Sequence, residues 1–166
     1  MRICAFSDMH GQLDFKIEPC DIVIICGDII PLRIQSFTGP SEVWLRDVFI
    51  PWCTNLPCEK VLFIAGNHDF LMMRHPDRVR LMLKGQDKIT YLDCETFEYK
   101  GKTIFGTPWC KPFGRWAFME SYEEQDKRYV CLRTRSVHEV RLQPYMGFRG
   151  LGLRDMECAV IQEHIF

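Results

Sequence analysis

Three short polar motifs, Asp8-Met9-His10, Gly27-Asp28 and Gly66-Asn67-His68-Asp69, each follow directly on a run of strand-forming apolar residues. No other feature constrains the fold as much. Residues 2–6, 21–26 and 60–65 are apolar, rich in Ile and Val in the second and third, and each closed by Ser, Gly or Asp, as strands buried on both faces are. Between the second and third, Pro40-Ser41 opens a stretch with Trp44, Leu45, Val48, Phe49 and Trp52 at helical spacing, interrupted by Pro51, which predicts a crossover helix. A second helix is predicted from His75-Pro76, with apolar Val79, Leu81, Met82 and Leu83 and with Gly85 beyond its end. Residues 89–92, 96–99 and 102–105 predict further strands, the last two joined by a tight Lys100-Gly101 turn.

Strands alternating with helices predict an α/β fold whose first sheet is mostly parallel with right-handed crossovers, and such sheets bind ligands at the carboxyl ends of their strands. All three motifs fall at those ends. Asp8, His10 and Gly11 alone would read equally well as an ordinary turn, but three motifs converging on one crevice point to a site.

Carboxylate, imidazole and amide oxygen are the donors a divalent cation takes. A carboxylate shared by two cations, here Asp28, would hold them roughly 3.5–4 Å apart. Asp8 and His10 reach one cation only if the chain bends after its strand, and Gly11 permits that bend. Asn67 offers a neutral oxygen to a second cation, which leaves the neighbouring His68 free to act as an acid. Asp69 reads as a helix cap, and His75 before Pro76 as a helix-start residue.

This pattern, D-x-H, G-D, then G-N-H-[DE], resembles the calcineurin-like metallophosphoesterase family. The Ser-Asp-Met-His-Gly opening, Gly106-Thr107-Pro108-Trp109 and Phe113-Gly114-Arg115-Trp116-Ala117-Phe118 are similar to its small metallophosphoesterase-domain-containing subgroup, over about residues 1–118. The resemblance implies a metallophosphoesterase-like α/β sandwich. It also implies metal-dependent hydrolysis of a phosphomonoester or phosphodiester by a metal-bridging hydroxide. Asp8, His10 and Asp28 would bind the first metal, Asp28 and Asn67 the second, and His68 would donate the proton. The cofactors implied are up to two divalent ions, Mn, Fe, Zn or Mg, and the substrate a small phosphorylated molecule, nucleotides included.

The chain departs from the family pattern twice. Where the family's G-D-x-x-D ends in an Asp that orients the acid histidine, this sequence reads Gly27-Asp28-Ile29-Ile30-Pro31, so His68 is expected to lack that partner. The family's downstream T-H-G-P-like and G-H-x-H histidines are also missing, and only His138 and His164 remain in the tail. A second reading therefore stands beside the first: an inactive or truncated remnant serving as a metal-binding or regulatory module.

The chain divides at residue 130. Residues 1–130 read as the metallophosphoesterase-like front half; residues 131–166 hold five arginines and no lysine and read as an atypical, poorly specified tail that leaves the second sheet incomplete. Arg149-Gly150-Leu151-Gly152 reads as loop and residues 156–165 as a short terminal helix.

Composition excludes several partners. Lys and Arg number 21 against 22 Asp and Glu, so no net charge steers the chain to duplex nucleic acid or to an anionic membrane. The Arg74, Arg78, Arg80 and Lys84 series reads as a solvated helix face. Nine cysteines without a C-x-x-C pair read as reduced thiols, Cys53 and Cys58 remaining an incidental pair. The apolar start meets a polar motif too soon for a secretory signal, so a cytoplasmic location is expected. Trp109, Phe113, Trp116 and Phe118 either stack on a base, with Lys111 and Arg115 near a phosphate, or pin a long loop to the sheet, the plainer account. Oligomeric state has no signal in the sequence.

Overall fold

The computed structural model describes residues 1–133, 139–142 and 162–163. Strands β1 (Ile3–Phe6), β2 (Cys20–Cys26), β3 (Cys58–Ile64) and β4 (Ile89–Tyr91) form one parallel sheet in that order. Ile22, Val23, Ile24 and Ile25 are all fully buried, which explains why β2 is apolar without alternation. Val23, Ile25, Val61 and Phe63 face the helices, whereas Ile22, Ile24, Leu62 and Ile64 meet Ile104, Leu92 and Tyr99 on the opposite face. A slip of one residue would exchange these two sets, so burial holds the register and with it the place where each strand ends.

The crossover from β2 to β3 contains α1 (Thr38–Trp44), a π-helical turn (Leu45–Phe49) and α2 (Ile50–Asn55). It starts two residues earlier than the Pro40 expected from sequence. Pro51 is accommodated rather than interrupting: the Ile50 N–H reaches back to the Leu45 carbonyl, and the widened turn delivers Pro51 to the start of α2. Phe49 stacks between Trp44 and Trp52, at 5.9 and 6.2 Å, and sits edge-on to Phe63 at 5.4 Å. The Trp52 indole donates to the Leu13 carbonyl at 3.0 Å, tying this helix to the loop after β1.

From β3 to β4 the single expected helix is two, α3 (Phe70–Arg74) and α4 (Pro76–Met82), separated at His75, whose φ of −140° breaks the helical path. Of the apolar residues predicted to face the core from α4, Val79 is buried while Leu81 is 69% exposed. The loop from β1 to β2 carries no helix among the described residues.

A second sheet is built on the β5 (Glu95–Tyr99) and β6 (Lys102–Gly106) hairpin, whose Lys100-Gly101 turn has both residues at positive φ. The tail adds β7 (Glu139–Leu142), parallel to β6, and β8 (Gln162–Glu163), antiparallel to β7. The terminal helix expected over residues 156–165 is therefore strand at Gln162 and Glu163, since backbone groups at the edge of β7 draw a pairing strand. The rest of that segment, the expected loop at Arg149, Gly150, Leu151 and Gly152, and His138 and His164 lie outside the described residues. Before the tail, α5 (Tyr122–Arg133) opens on a capping box: Glu124 N–H donates to Ser121 Oγ at 3.3 Å and Ser121 N–H to Glu124 Oε2 at 3.0 Å. No described helix is long and apolar enough to cross a membrane. Cys53 and Cys58 are unbridged thiols, and burial pushes both to raised pKa values.

Close approach of the second and third motifs depends on two glycines. A Cβ on Gly27, whose φ is +90°, would lie 2.7 Å from the Gly66 backbone, and one on Gly66 would lie 2.2 Å from the Asp28 carboxylate. Gly66→Ala is expected to lower the unfolding free energy by about 2 kcal/mol or more. Denaturant titration checks this, and a loss within 0.5 kcal/mol, about the effect of a neutral surface change, would disprove the tight fit.

Candidate metal centre

The three motifs occupy the loops leaving β1, β2 and β3, side by side because those strands are neighbours. Their backbone is unusual. Asp8, His10 and Asp28 have φ of 58°, 45° and 53°, the left-handed region that side chains other than Gly, Asn, Asp and His seldom enter. The bend expected from Gly11 is thus shared with the candidate ligands themselves. Three hydrogen bonds lace the first loop to the second: Asp8 N–H to Gly27 O at 3.2 Å, His10 N–H to Asp28 O at 2.8 Å and Gly11 N–H to Ile29 O at 2.9 Å.

Asp69 ties the second loop to the third. It precedes α3, where a cap was expected, but its side chain makes no cap bond. Fully buried, its carboxylate instead accepts from Ile29 N–H at 3.0 Å, Ile30 N–H at 2.9 Å and Gly66 N–H at 2.8 Å. Donors only surround it, so the ionised form is the one the site satisfies. Beside it the Asp28 carboxylate accepts the His68 N–H at 2.9 Å.

Ligand atoms of His10, Asp28 and His68 lie within 4.8 Å of one another, and the two imidazoles meet edge-to-face at 5.0 Å. Burial pushes the Asp28 carboxyl well above the ordinary carboxylate range, and the Asp69 and Asp8 charges push the same way. Asp69 is raised too, by burial, against the pull of its amide donors. Both histidines are lowered, mainly by burial, with His10 adding to the effect on His68 and Asp8 opposing it at both. One buried atom stands unsatisfied in the middle of this group: Nδ1 of His10 has no hydrogen-bond partner. An orphaned imidazole nitrogen, a carboxylate whose charge is resisted and a second imidazole are together what a divalent cation would satisfy, so the donor set fits a metal.

Of the other residues singled out from sequence, Asp8 is exposed at the rim with one carboxylate oxygen taken by the Ser7 hydroxyl, and it is not among the three converging groups. Asn67 is buried, and its backbone carbonyl accepts the Ala117 N–H at 3.0 Å, bringing the Pro-Trp loop to the site. Trp109 and Phe118 pack edge-to-face at 5.5 Å against the core, pinning that loop, whereas Phe113 is exposed. Trp116 lies over His68 at 4.5 Å. Lys111 stands over the Tyr122 ring at 4.9 Å. His75 falls between α3 and α4, as a helix-start residue should.

Gln35, which nothing in the sequence marked, places its Oε1 in hydrogen-bond contact with His68 Nδ1. The orienting partner that His68 was expected to lack is present, delivered by a turn that begins at the very Pro31 that breaks the pattern: Ile34 N–H and Gln35 N–H both return to the Pro31 carbonyl, at 3.0 and 3.1 Å.

A family model described as calcineurin-like phosphoesterase matches residues 1–156. A solved crystal structure is similar in fold at 12% identity, with a TM-score of 0.58, covering 84% of this chain and 67% of its own. The family match runs past the point near residue 118 where the motif resemblance ended.

Because the Asp28 carboxyl is raised above its ordinary 3.8, the metal-free folded state holds that proton more tightly than the unfolded chain does. Its contribution to stability is full at low pH and is lost as pH rises through the raised value. Metal-free Asp28→Asn is therefore expected to outlast the native chain increasingly from about pH 5 to about pH 8, by on the order of 1 kcal/mol at the upper end. Thermal melts in chelator across that range check it. Manganese should stabilise the native chain more as pH rises, since cation and proton compete for the same oxygens.

Proposed function

We propose that this chain, which belongs to the calcineurin-like phosphoesterase family, hydrolyses a small phosphomonoester or phosphodiester at the crevice where β1, β2 and β3 end. The observation that carries the proposal is the convergence of His10, Asp28 and His68 around the unsatisfied His10 Nδ1. His10 and Asp28 would hold a divalent cation, with Asp8 at the rim and Asn67 beside them as further oxygen donors. A cation held there supplies Lewis acidity toward a phosphoryl oxygen and lowers the pKa of water.

The protein's own groups supply the rest. Asp69 keeps the second and third loops in fixed relation, so that Asp28 and His68 meet the substrate without rearranging. His68 gives a proton to the departing alcohol oxygen. Burial and the adjacent His10 make its imidazolium a readier acid, and Asp8 limits that effect. Trp116, lying on His68, walls the side where the leaving group departs, and an aromatic or nucleobase leaving group would find a flat surface there.

A second reading, a metal-binding module without turnover, is favoured by one observation. Among the described residues there is a single group of three ligands, and it includes His68. If His68 binds the ion, its proton-donating role is lost.

Purified protein supplied with manganese should hydrolyse chromogenic phosphomonoesters or phosphodiesters, and chelation should abolish this. Asp28→Asn should lower kcat at least about 100-fold, the scale of a group acting in the transition state. Calorimetry divides the two readings: binding of one ion that is lost in His68→Ala, with no turnover of any ester, would establish the module instead.

A further inference from the structure

We infer that Gln35 is the positioning residue for His68, holding its imidazole in the Nδ1–H tautomer so that Nε2 is the nitrogen left to serve the substrate. As a statement about mechanism this rests on the proposed hydrolytic function; as a statement about tautomer and orientation it does not. The His68 ring is held from three directions. Oε1 of Gln35 bonds Nδ1, His10 stands edge-on at 5.0 Å, and Trp116 covers a face at 4.5 Å. An amide oxygen only accepts, so the contact is made when Nδ1 carries the proton, and Nε2 is then the lone pair that takes up and releases protons.

Gln35 can do this because its backbone does not move freely. The turn from Pro31 is closed by Ile34 N–H and Gln35 N–H on the Pro31 carbonyl, and Phe37 N–H closes the next turn on Ile34 O at 2.8 Å. Ser41, fully buried at the start of the crossover helix, donates its hydroxyl to Ile34 O at 2.8 Å, and Arg74 donates to Ser36 O at 3.0 Å. Pro31 itself is buried and packs where Gly11 has no Cβ, since one would lie 2.4 Å from its ring. The turn that carries Gln35 is therefore braced against the first motif, the crossover helix and the end of α3.

A neutral amide orients the ring without adding a second negative charge to a site that already contains Asp8, Asp28 and Asp69. Its effect should show as ring placement, seen in the turnover of substrates whose leaving group needs a proton, rather than in substrate affinity.

Gln35→Met removes the acceptor at similar length, and Gln35→Glu keeps an oxygen there. With manganese, Gln35→Met should lower kcat on an alkyl phosphoester about 10- to 100-fold with KM within about twofold. Its loss on the p-nitrophenyl ester should be about tenfold smaller, because nitrophenolate departs without help from an acid. Gln35→Glu should recover most of the alkyl-ester turnover. Equal losses on both esters, or no recovery with Glu, would overturn the positioning role. Imidazole ¹⁵N–¹H spectra of the metal-free protein supply an arm independent of turnover. A protected Nδ1–H of His68 is expected in the native chain and in Gln35→Glu, and is expected to vanish in Gln35→Met. An Nε2–H tautomer in the native chain would refute the inference. Should the native chain hydrolyse neither ester, the hydrolytic reading fails, while these spectra still decide the placement of His68.

Discussion

The arrangement depends on one buried carboxylate. Asp69 accepts amides from Ile29 and Ile30 on one loop and from Gly66 on another, with no exposure to solvent. Parallel strands bring their carboxyl ends into line, but alignment does not fix loops; an ionised oxygen pair shared by two of them does, and a charge-assisted bond to N–H is stronger than a neutral one. Around that clasp, Gly27 and Gly66 allow the two backbones to touch and Asp28 is set against His68.

The same clasp makes the neighbourhood electrostatically unfavourable. Asp28 lies buried beside Asp69 with Asp8 close by, and the nearest imidazoles, His10 and His68, are themselves disfavoured as cations by burial. Left-handed backbone at Asp8, His10 and Asp28 adds strain at the same spot, about 1 kcal/mol or more for each residue. A fold concentrates such terms where a ligand relieves them, and a divalent cation relieves the charge.

Most of the first sheet was legible in the sequence, because burial on both faces of β2 and β3 leaves unbroken apolar runs that polar residues end sharply. The placement of the motifs at strand ends followed from that. What stayed hidden was non-local. Asp69 looked like a cap because sequence shows only its own helix, not the amides of Ile29 and Ile30 forty positions away. Gln35 had no motif at all, since its place is set by a turn whose bracing residues, Ser41 and Arg74, are distant in the chain. Pro31 read as a loss when judged by side-chain chemistry, yet it builds the turn that replaces what it removed. Leu81 reads as core by periodicity but sits on the solvent side of a helix too short to hold a regular stripe. The capping box at Ser121 and Glu124, by contrast, was written in the sequence and would have announced α5.

The π-helical turn at Leu45–Phe49 carries one residue more than the α-helical path needs, and so acts as a phase adjuster for the crossover. Removing a single residue there would let the segment relax to a plain α-helix while rotating everything after it by about 100°. Trp52 would then swing away from the Leu13 carbonyl and from its stack on Phe49. Length variation in this family member is consequently expected to be tolerated far better in its exposed hairpin turn at Lys100 and Gly101 than inside that helix, where the chain counts its residues one by one.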